Sequence, residues 1–292
     1  MPTIDEMLDL EPVGERVFAS KHMWGPAAFT RAFGGLLIGQ SLAAAFKTVD
    51  SGYVARSLHT LFVGPVSKNA TVQYHVSDQA LGSNNVTRTV SGYQTNKLVI
   101  QTTCHFIREK ANADKRNYNH EYQTRMPQVP TPDDKDSGFN TGPPGYSHKF
   151  PVNVWVPEVG GATLAHSASA QQYAWLKCPT AQERSTQIHQ CILATYSDVH
   201  MMRTIVGPFG FELIVSPKCV KRALSIDHHV WFHQHADCSE YVLASTRSLI
   251  LNQGRGAVHC ELFAADGRLV ATAVQEARLD IDPLAKLSQP KL

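Results

Sequence analysis

No apolar run in this sequence approaches the roughly 20 residues of a membrane-spanning helix, so no membrane span is expected. The opening stretch MPTIDEMLDLEP is acidic and lacks the apolar core of a signal peptide. None of the six cysteines is spaced C-x-x-C, which argues against a zinc ribbon or a dithiol redox centre. Scattered through a long chain, they read as free thiols in a reducing compartment. There is no G-x-S-x-G elbow, which argues against a serine-nucleophile α/β-hydrolase. P-loop and dinucleotide fingerprints are also missing, and no cofactor is expected. Charge is scarce: 18% of residues are charged and the net charge is +2, so nothing in the whole chain favours nucleic acid or a membrane surface.

What the chain does have is length and pattern. Its 292 residues suffice for one large or two medium domains. Glu183 to Ile205 runs without Gly or Pro. Ile188, Cys191, Ile192, Thr195, Tyr196, Val199 and Met202 recur at steps of three and four, which predicts one long helix with an apolar stripe. Asp198 falls on the edge of that stripe. It reads either as a solvated flank or as a buried acid that needs partners.

An earlier stretch, FGGLLIGQSLAAAFKTVD, carries a similar stripe through Ile38, Leu42 and Ala45. Four strand-like runs follow it: ARSLHTLFVG, ATVQYHVSDQA, VTRTVSGYQ and KLVIQTTCHFIRE. Short turns join them, so the sheet should be antiparallel. From Met126 to His148 five prolines interrupt the chain, which predicts a surface linker over 113–148. The pattern then repeats. At an offset of 150, Gly39 to Phe46 lies over His189 to Tyr196, with Gln40/Gln190 and Ala44/Ala194 identical. KLVIQTTC likewise lies over RLVATAVQ. A duplicated "helix, then four strands" predicts two α+β layers side by side, with a ligand site favoured at their interface.

Phe33-Gly34-Gly35 with Gly39-Gln40, Ser57-Leu58-His59 before Phe62, Met126-Pro127, Ser225-Ile226-Asp227-His228 with Trp231-Phe232-His233, and Val274-Gln275-Glu276 occur in this order. The whole chain thereby resembles the type II acyl-CoA thioesterases, the double-hotdog family. The resemblance implies two antiparallel sheets, each wrapped round a long helix: an N-terminal hotdog at 1–112, a linker at 113–148, a C-terminal hotdog at 149–285 and a tail at 286–292. It implies hydrolysis of medium- to long-chain fatty acyl-CoA to free acid and CoA. The family's catalytic positions fall on Asp198, Ser225 and Gln275, which would hold one water. Of these, Asp198 alone can act as a base. Gly34 and Gly35 are implied oxyanion donors. Leu249 to Gly254 departs from the small-residue run usual before the family's R-G, which bears on chain-length preference.

His59 and Arg255 are further substrate-binding candidates, Arg255 because its forked donors suit a CoA phosphate. Strand alternation sets His229, His233 and His235 on one face with Asp227, but their spacing along a straight strand does not converge on a metal. The same alternation puts Ser225 opposite the face of Val230 and Phe232, unless a bulge re-aims it. Two other functions stay open: a hotdog hydratase acting on enoyl- or hydroxyacyl-thioesters through Asp227-His228, and a non-catalytic acyl-CoA-binding module. Hotdog sheets often associate, so a homo-oligomer is expected. The final Pro-Lys-Leu is one residue from a peroxisomal address, which raises an import receptor as partner and the peroxisome, or otherwise the cytoplasm, as location.

Overall fold

The computed structural model describes residues 2–26, 30–80, 84–109, 121–132, 152–157, 170–209 and 220–282. Runs rich in Val, Thr and aromatics form strands, because branched and aromatic side chains pack well on a pleated, half-buried surface. In chain order these are β1 (Leu10–Gly14), β2 (Val17–Ser20), β3 (Tyr53–Phe62), β4 (Gln73–Ala80), β5 (Asn85–Gln94), β6 (Lys97–Arg108), β7 (Asn153–Trp155), β8 (Gln171–Lys177), β9 (Val220–Phe232), β10 (Val242–Asn252), β11 (Arg255–Ala264) and β12 (Leu269–Ile281). The helices are α1 (Ile4–Met7), α2 (Gly34–Phe46), α3 (Thr186–Tyr196) and α4 (Met201–Val206).

The strands are ordered β1-β2-β4-β5-β6-β3-β9-β12-β11-β10-β8-β7. This order reads the same from either end once each strand is replaced by its duplicate, so the repeat seen in sequence is a structural repeat. The expected two sheets are instead one twelve-stranded sheet. β3 and β9 pair antiparallel from Ser57↔Trp231 to Leu61↔Asp227. The reason is the edge problem: each unit would otherwise leave the ladder groups of its last strand unpaired, and joining the units satisfies both edges.

The predicted helix over 183–205 also differs. Ser185 caps α3 by accepting from the Ile188 N–H, and α3 ends at Tyr196. Ser197 Oγ lies 2.8 Å from Ala194 O. His200 is left-handed, with φ 67°, and is the N-cap of α4. A hydroxyl within reach of its own backbone competes with the helix, and a left-handed residue ends it. Asp198 therefore sits in a sharp turn rather than on a helix face.

The other striped helix is less one-sided than expected. Every residue of α2 from Gly35 to Phe46 is buried, because the sheet covers one side and α3 the other. Between 121 and 132, the described part of the expected linker lies against the second unit. Trp175 Nε1 donates to Pro130 O at 2.9 Å, and Met126 and Val129 pack against Trp175, Leu243 and Phe263. The tail at 286–292 lies outside the described residues.

Close helix packing depends on Gly39. A methyl there would lie 2.3 Å from Thr195 Oγ1, 2.8 Å from Leu8 Cδ2 and 2.9 Å from Cys191 O. Gly39→Ala is therefore expected to lower the melting temperature. Overpacking costs about 1–3 kcal/mol, more than the roughly 1 kcal/mol that alanine adds in helix propensity. Thermal unfolding followed by circular dichroism checks this, and an unchanged or raised midpoint would contradict the packing described.

Candidate active site

Helix α2 begins without a side-chain cap of its own, since its N-cap residue is Phe33. Its leading N–H groups need acceptors from elsewhere. Asp198 supplies one from the turn after α3: its carboxylate accepts from the Gly35 backbone N–H. Gly34 leaves room for this approach, because a Cβ there would sit 2.8 Å from Asp198 Oδ2 and 3.3 Å from Phe62 Cζ. Asp198 as a whole residue is 9% exposed. Burial pushes its pKa up to about 7, against the Gly35 N–H and the Gln275 amide, which both favour the ionised form. Desolvation wins over the positive end of the helix. A carboxyl poised near neutrality is suited to take a proton and give it back.

Gln275 is fully buried on β12, directly across from His228 on β9. His228 Nδ1 lies 2.7 Å from Gln275 Oε1, and His228 Nε2 lies 2.8 Å from Ser197 Oγ. Burial holds the imidazole pKa down to about 4, so the ring is neutral at pH 7. Gln275 Nε2 has no protein hydrogen-bond partner among the described residues. It nevertheless lies close enough to Asp198 to hold down that carboxyl's proton affinity.

Ser225 reaches this face through a bulge. Asp227 pairs with Glu276 but Ser225 pairs with Ala277, leaving Ile226 as the extra residue. Residues directly opposite in an antiparallel pair point the same way. Ser225 thus shares the face of the buried Ala277, Gln275 and His228 instead of the open face that plain alternation assigns it. Asp227 fastens the bulge by accepting from the Glu276 N–H at 3.0 Å.

Asp198, Gln275 and Ser225 are therefore brought to one face, at the junction of the two units. Two other candidates are not. His59 pairs with His229, whereas its neighbour Thr60 pairs with the inward His228. Alternation puts His59 on the outer face, where its ring meets His229 at a tilt, 4.4 Å between centroids, and Trp231 edge-on, 5.6 Å between centroids. Arg255 is paired with Glu276 on that outer face and is exposed. Asp227 and His228 are consecutive on a strand and project to opposite sides, so they do not act as one proton-transfer pair. Among the described residues, no cluster of three or more His, Cys, Asp or Glu is placed to hold a metal. Ser197 was not singled out by the sequence, where it is one small polar residue in a run read as continuous helix.

The chain resembles known proteins over most of its length. Residues 123–279 match the family model described as acyl-CoA thioesterase C-terminal domain. Residues 21–107 match acyl-CoA thioesterase N-terminal domain. The chain belongs to the acyl-CoA thioesterase family. It is 28% identical to acyl-CoA thioesterase 2 of Haemophilus influenzae, over 92% of this chain and 94% of that protein. It is 27% identical to acyl-coenzyme A thioesterase 8 of Mus musculus, over 99% and 92%. Among solved structures, an acyl-CoA thioesterase II from Mycobacterium marinum superposes with a TM-score of 0.72 at 23% identity, covering 96% of this chain and 99% of that one. A hot dog fold protein from Alicyclobacillus acidocaldarius superposes at 0.70 and 19% identity, covering 96% and 98%. These likenesses establish a hot dog fold.

The raised pKa of Asp198 carries a stability consequence. The folded state holds the proton up to about pH 7, whereas the unfolded chain releases it in the ordinary carboxylate range, near 4. The contribution is full below the unfolded pKa and is lost as pH rises toward 7. Each tenfold difference in proton affinity is worth about 1.4 kcal/mol. Asp198→Asn removes this loss. The variant should melt above wild type at pH 8, with the gap closing toward pH 4. Parallel melting curves at all pH values would show that Asp198 is solvated.

Proposed function

We propose that this chain hydrolyses medium- to long-chain fatty acyl-CoA thioesters to free acid and CoA, in a double-hotdog scaffold whose reacting water is held by Asp198, Gln275 and Ser225. The observation that carries the proposal is a buried carboxyl with a pKa of about 7, set beside an amide nitrogen that has no hydrogen-bond partner among the described residues. The names of the family and of the full-length relatives support the substrate class.

In the proposed reaction Asp198 takes a proton from the water, whose oxygen attacks the thioester carbonyl. The Gln275 amide donates to that water, and the Ser225 hydroxyl orients it from the bulge. The oxyanion meets the N-terminus of α2. Gly35 already gives its N–H to Asp198, which leaves Gly34 as the proposed donor from this pair. When the tetrahedral species collapses, the C–S bond breaks and the CoA thiolate takes the proton from Asp198. Burial at the sheet junction keeps bulk water from competing for the carboxylate.

The compartment proposed is the peroxisome. A relative that matches 38% of this chain at 30% identity is named peroxisomal acyl-coenzyme A thioester hydrolase 1 of Saccharomyces cerevisiae. A fluorescent fusion of the full chain that stays diffuse in the cytosol would contradict this assignment.

Thiol release over a panel of acyl-CoAs tests the activity. Asp198→Asn should lower kcat by about 10²–10⁴ with little change in KM, the usual cost of losing a general base. Ser225→Ala should cost no more than that and should leave no acyl-enzyme to trap. Trapping an acyl group on Ser225 would instead make the serine a nucleophile. No thiol release from any acyl-CoA, with binding retained, would make the protein a binding module.

A further inference from the structure

Gln275 matters only if its amide is turned the right way. An amide facing Asp198 with its NH₂ group serves an ionised carboxylate; facing it with the carbonyl sets acceptor against acceptor. Nothing on β12 itself fixes the choice. The other end of the amide is held by His228 Nδ1 at 2.7 Å, and the far side of that ring is held by Ser197 Oγ at 2.8 Å. Ser197, His228 and Gln275 are all fully buried.

We propose that Ser197 and His228 are positioning residues that lock the Gln275 amide toward Asp198, with His228 held as its neutral Nδ1–H tautomer. The proposal rests on Asp198 being the base. It follows from counting protons. Ser197 has one hydroxyl proton and two acceptors within reach, Ala194 O at 2.8 Å and His228 Nε2. If that proton goes to Ala194 O, the Nε2 of a neutral ring must carry the hydrogen. Nδ1 is then bare and must accept, so Gln275 turns its NH₂ to the ring and its carbonyl to Asp198. If the proton goes to Nε2, Nδ1 carries the hydrogen and donates to Oε1, and the NH₂ faces Asp198. The ionised base selects the second arrangement. An imidazolium would satisfy the same contacts, but burial keeps the ring neutral at pH 7. The charged and titratable groups acting on these residues are Asp227 and His229 on β9, which act on His228, and Cys260 on β11, which is coupled to Asp198. Asp227 is tied to the Glu276 N–H, and burial holds Cys260 as a thiol.

The test uses the full chain, decanoyl-CoA as substrate, and five variants. In His228→Asn the side-chain amide nitrogen falls near the place of Nδ1 and can still donate to Gln275. In His228→Gln it falls near Nε2, keeping Ser197 and losing Gln275. His228→Gln should lower kcat by about 10²-fold, as a misplaced catalytic group does, with KM little changed. The acid limb of its kcat/KM profile should move to higher pH, because the amide no longer favours ionised Asp198. His228→Asn should recover most of the rate and the original limb. His228→Gln with Gln275→Ala should be no slower than Gln275→Ala alone. Uniform ¹⁵N-histidine labelling, with the His228 signal identified by its loss in His228→Asn, should show the Nδ1–H tautomer in wild type at pH 7.5, whatever the variants' stability. An Nε2–H tautomer, wild-type kcat in His228→Gln, or losses that multiply in the double variant would overturn the proposal. Undiminished kcat in Gln275→Ala would remove the role of Gln275 and this proposal together. Impaired Gln275→Ala with unimpaired His228→Gln would remove this proposal alone. Undiminished kcat in Asp198→Asn would remove the base itself.

Discussion

A carboxyl buried against the start of a helix is the constraint on which the site depends. Asp198 gives α2 the cap that Phe33 cannot, and the helix returns a backbone donor and a positive end. Neither outweighs the loss of water, so the group is left near pH 7. Three local features serve this arrangement. The break after α3 brings the carboxyl out of a helix and onto its partner. Gly34 keeps the approach open. The β3–β9 pairing fixes the two units relative to each other, so the start of a helix from one meets a turn from the other.

The duplication was not kept symmetric. Adding the offset of 150, Thr48 of the first unit stands where Asp198 stands in the second. Thr48 Oγ1 donates to Ala45 O at 2.8 Å and accepts from Arg88 Nε at 3.0 Å, an ordinary helix-end arrangement. The helix that would receive it, α3, carries its own cap in Ser185. One junction therefore holds a borrowed, buried acid, and the other is satisfied locally. The two aligned glutamines diverge similarly. Gln40 fastens the N-terminal segment through Met7 O and His22 O. Gln190 instead bonds both backbone groups of Ala55, beside the bulge in β3.

The repeat was legible in the sequence because helix stripes and strand alternation are properties of single elements. The joining of the sheets was not, since β3 and β9 meet across 160 or more residues and nothing in either strand names its partner. Asp198 stood out as a charge beside apolar residues. That it lies in a turn depends on the left-handed His200, with no Gly or Pro to announce it. Ser225 was visible only through family likeness, because plain alternation put it on the wrong face and one bulged residue corrects this. His59 lies on the outer face, because alternation from Thr60 sends it outward. His228 and Ser197 acquire their roles from cross-strand and turn geometry, which no local pattern encodes.

The central claim is that Asp198 acts as the base with a pKa raised by burial. The pH dependence of kcat/KM for acyl-CoA hydrolysis by the unaltered protein tests it most directly, since its acid limb reports the essential base of the free enzyme. Activity should fall below a half-maximum near pH 7 and reach a plateau above it. A limb in the ordinary carboxylate range near pH 4, or no limb at all, would contradict it.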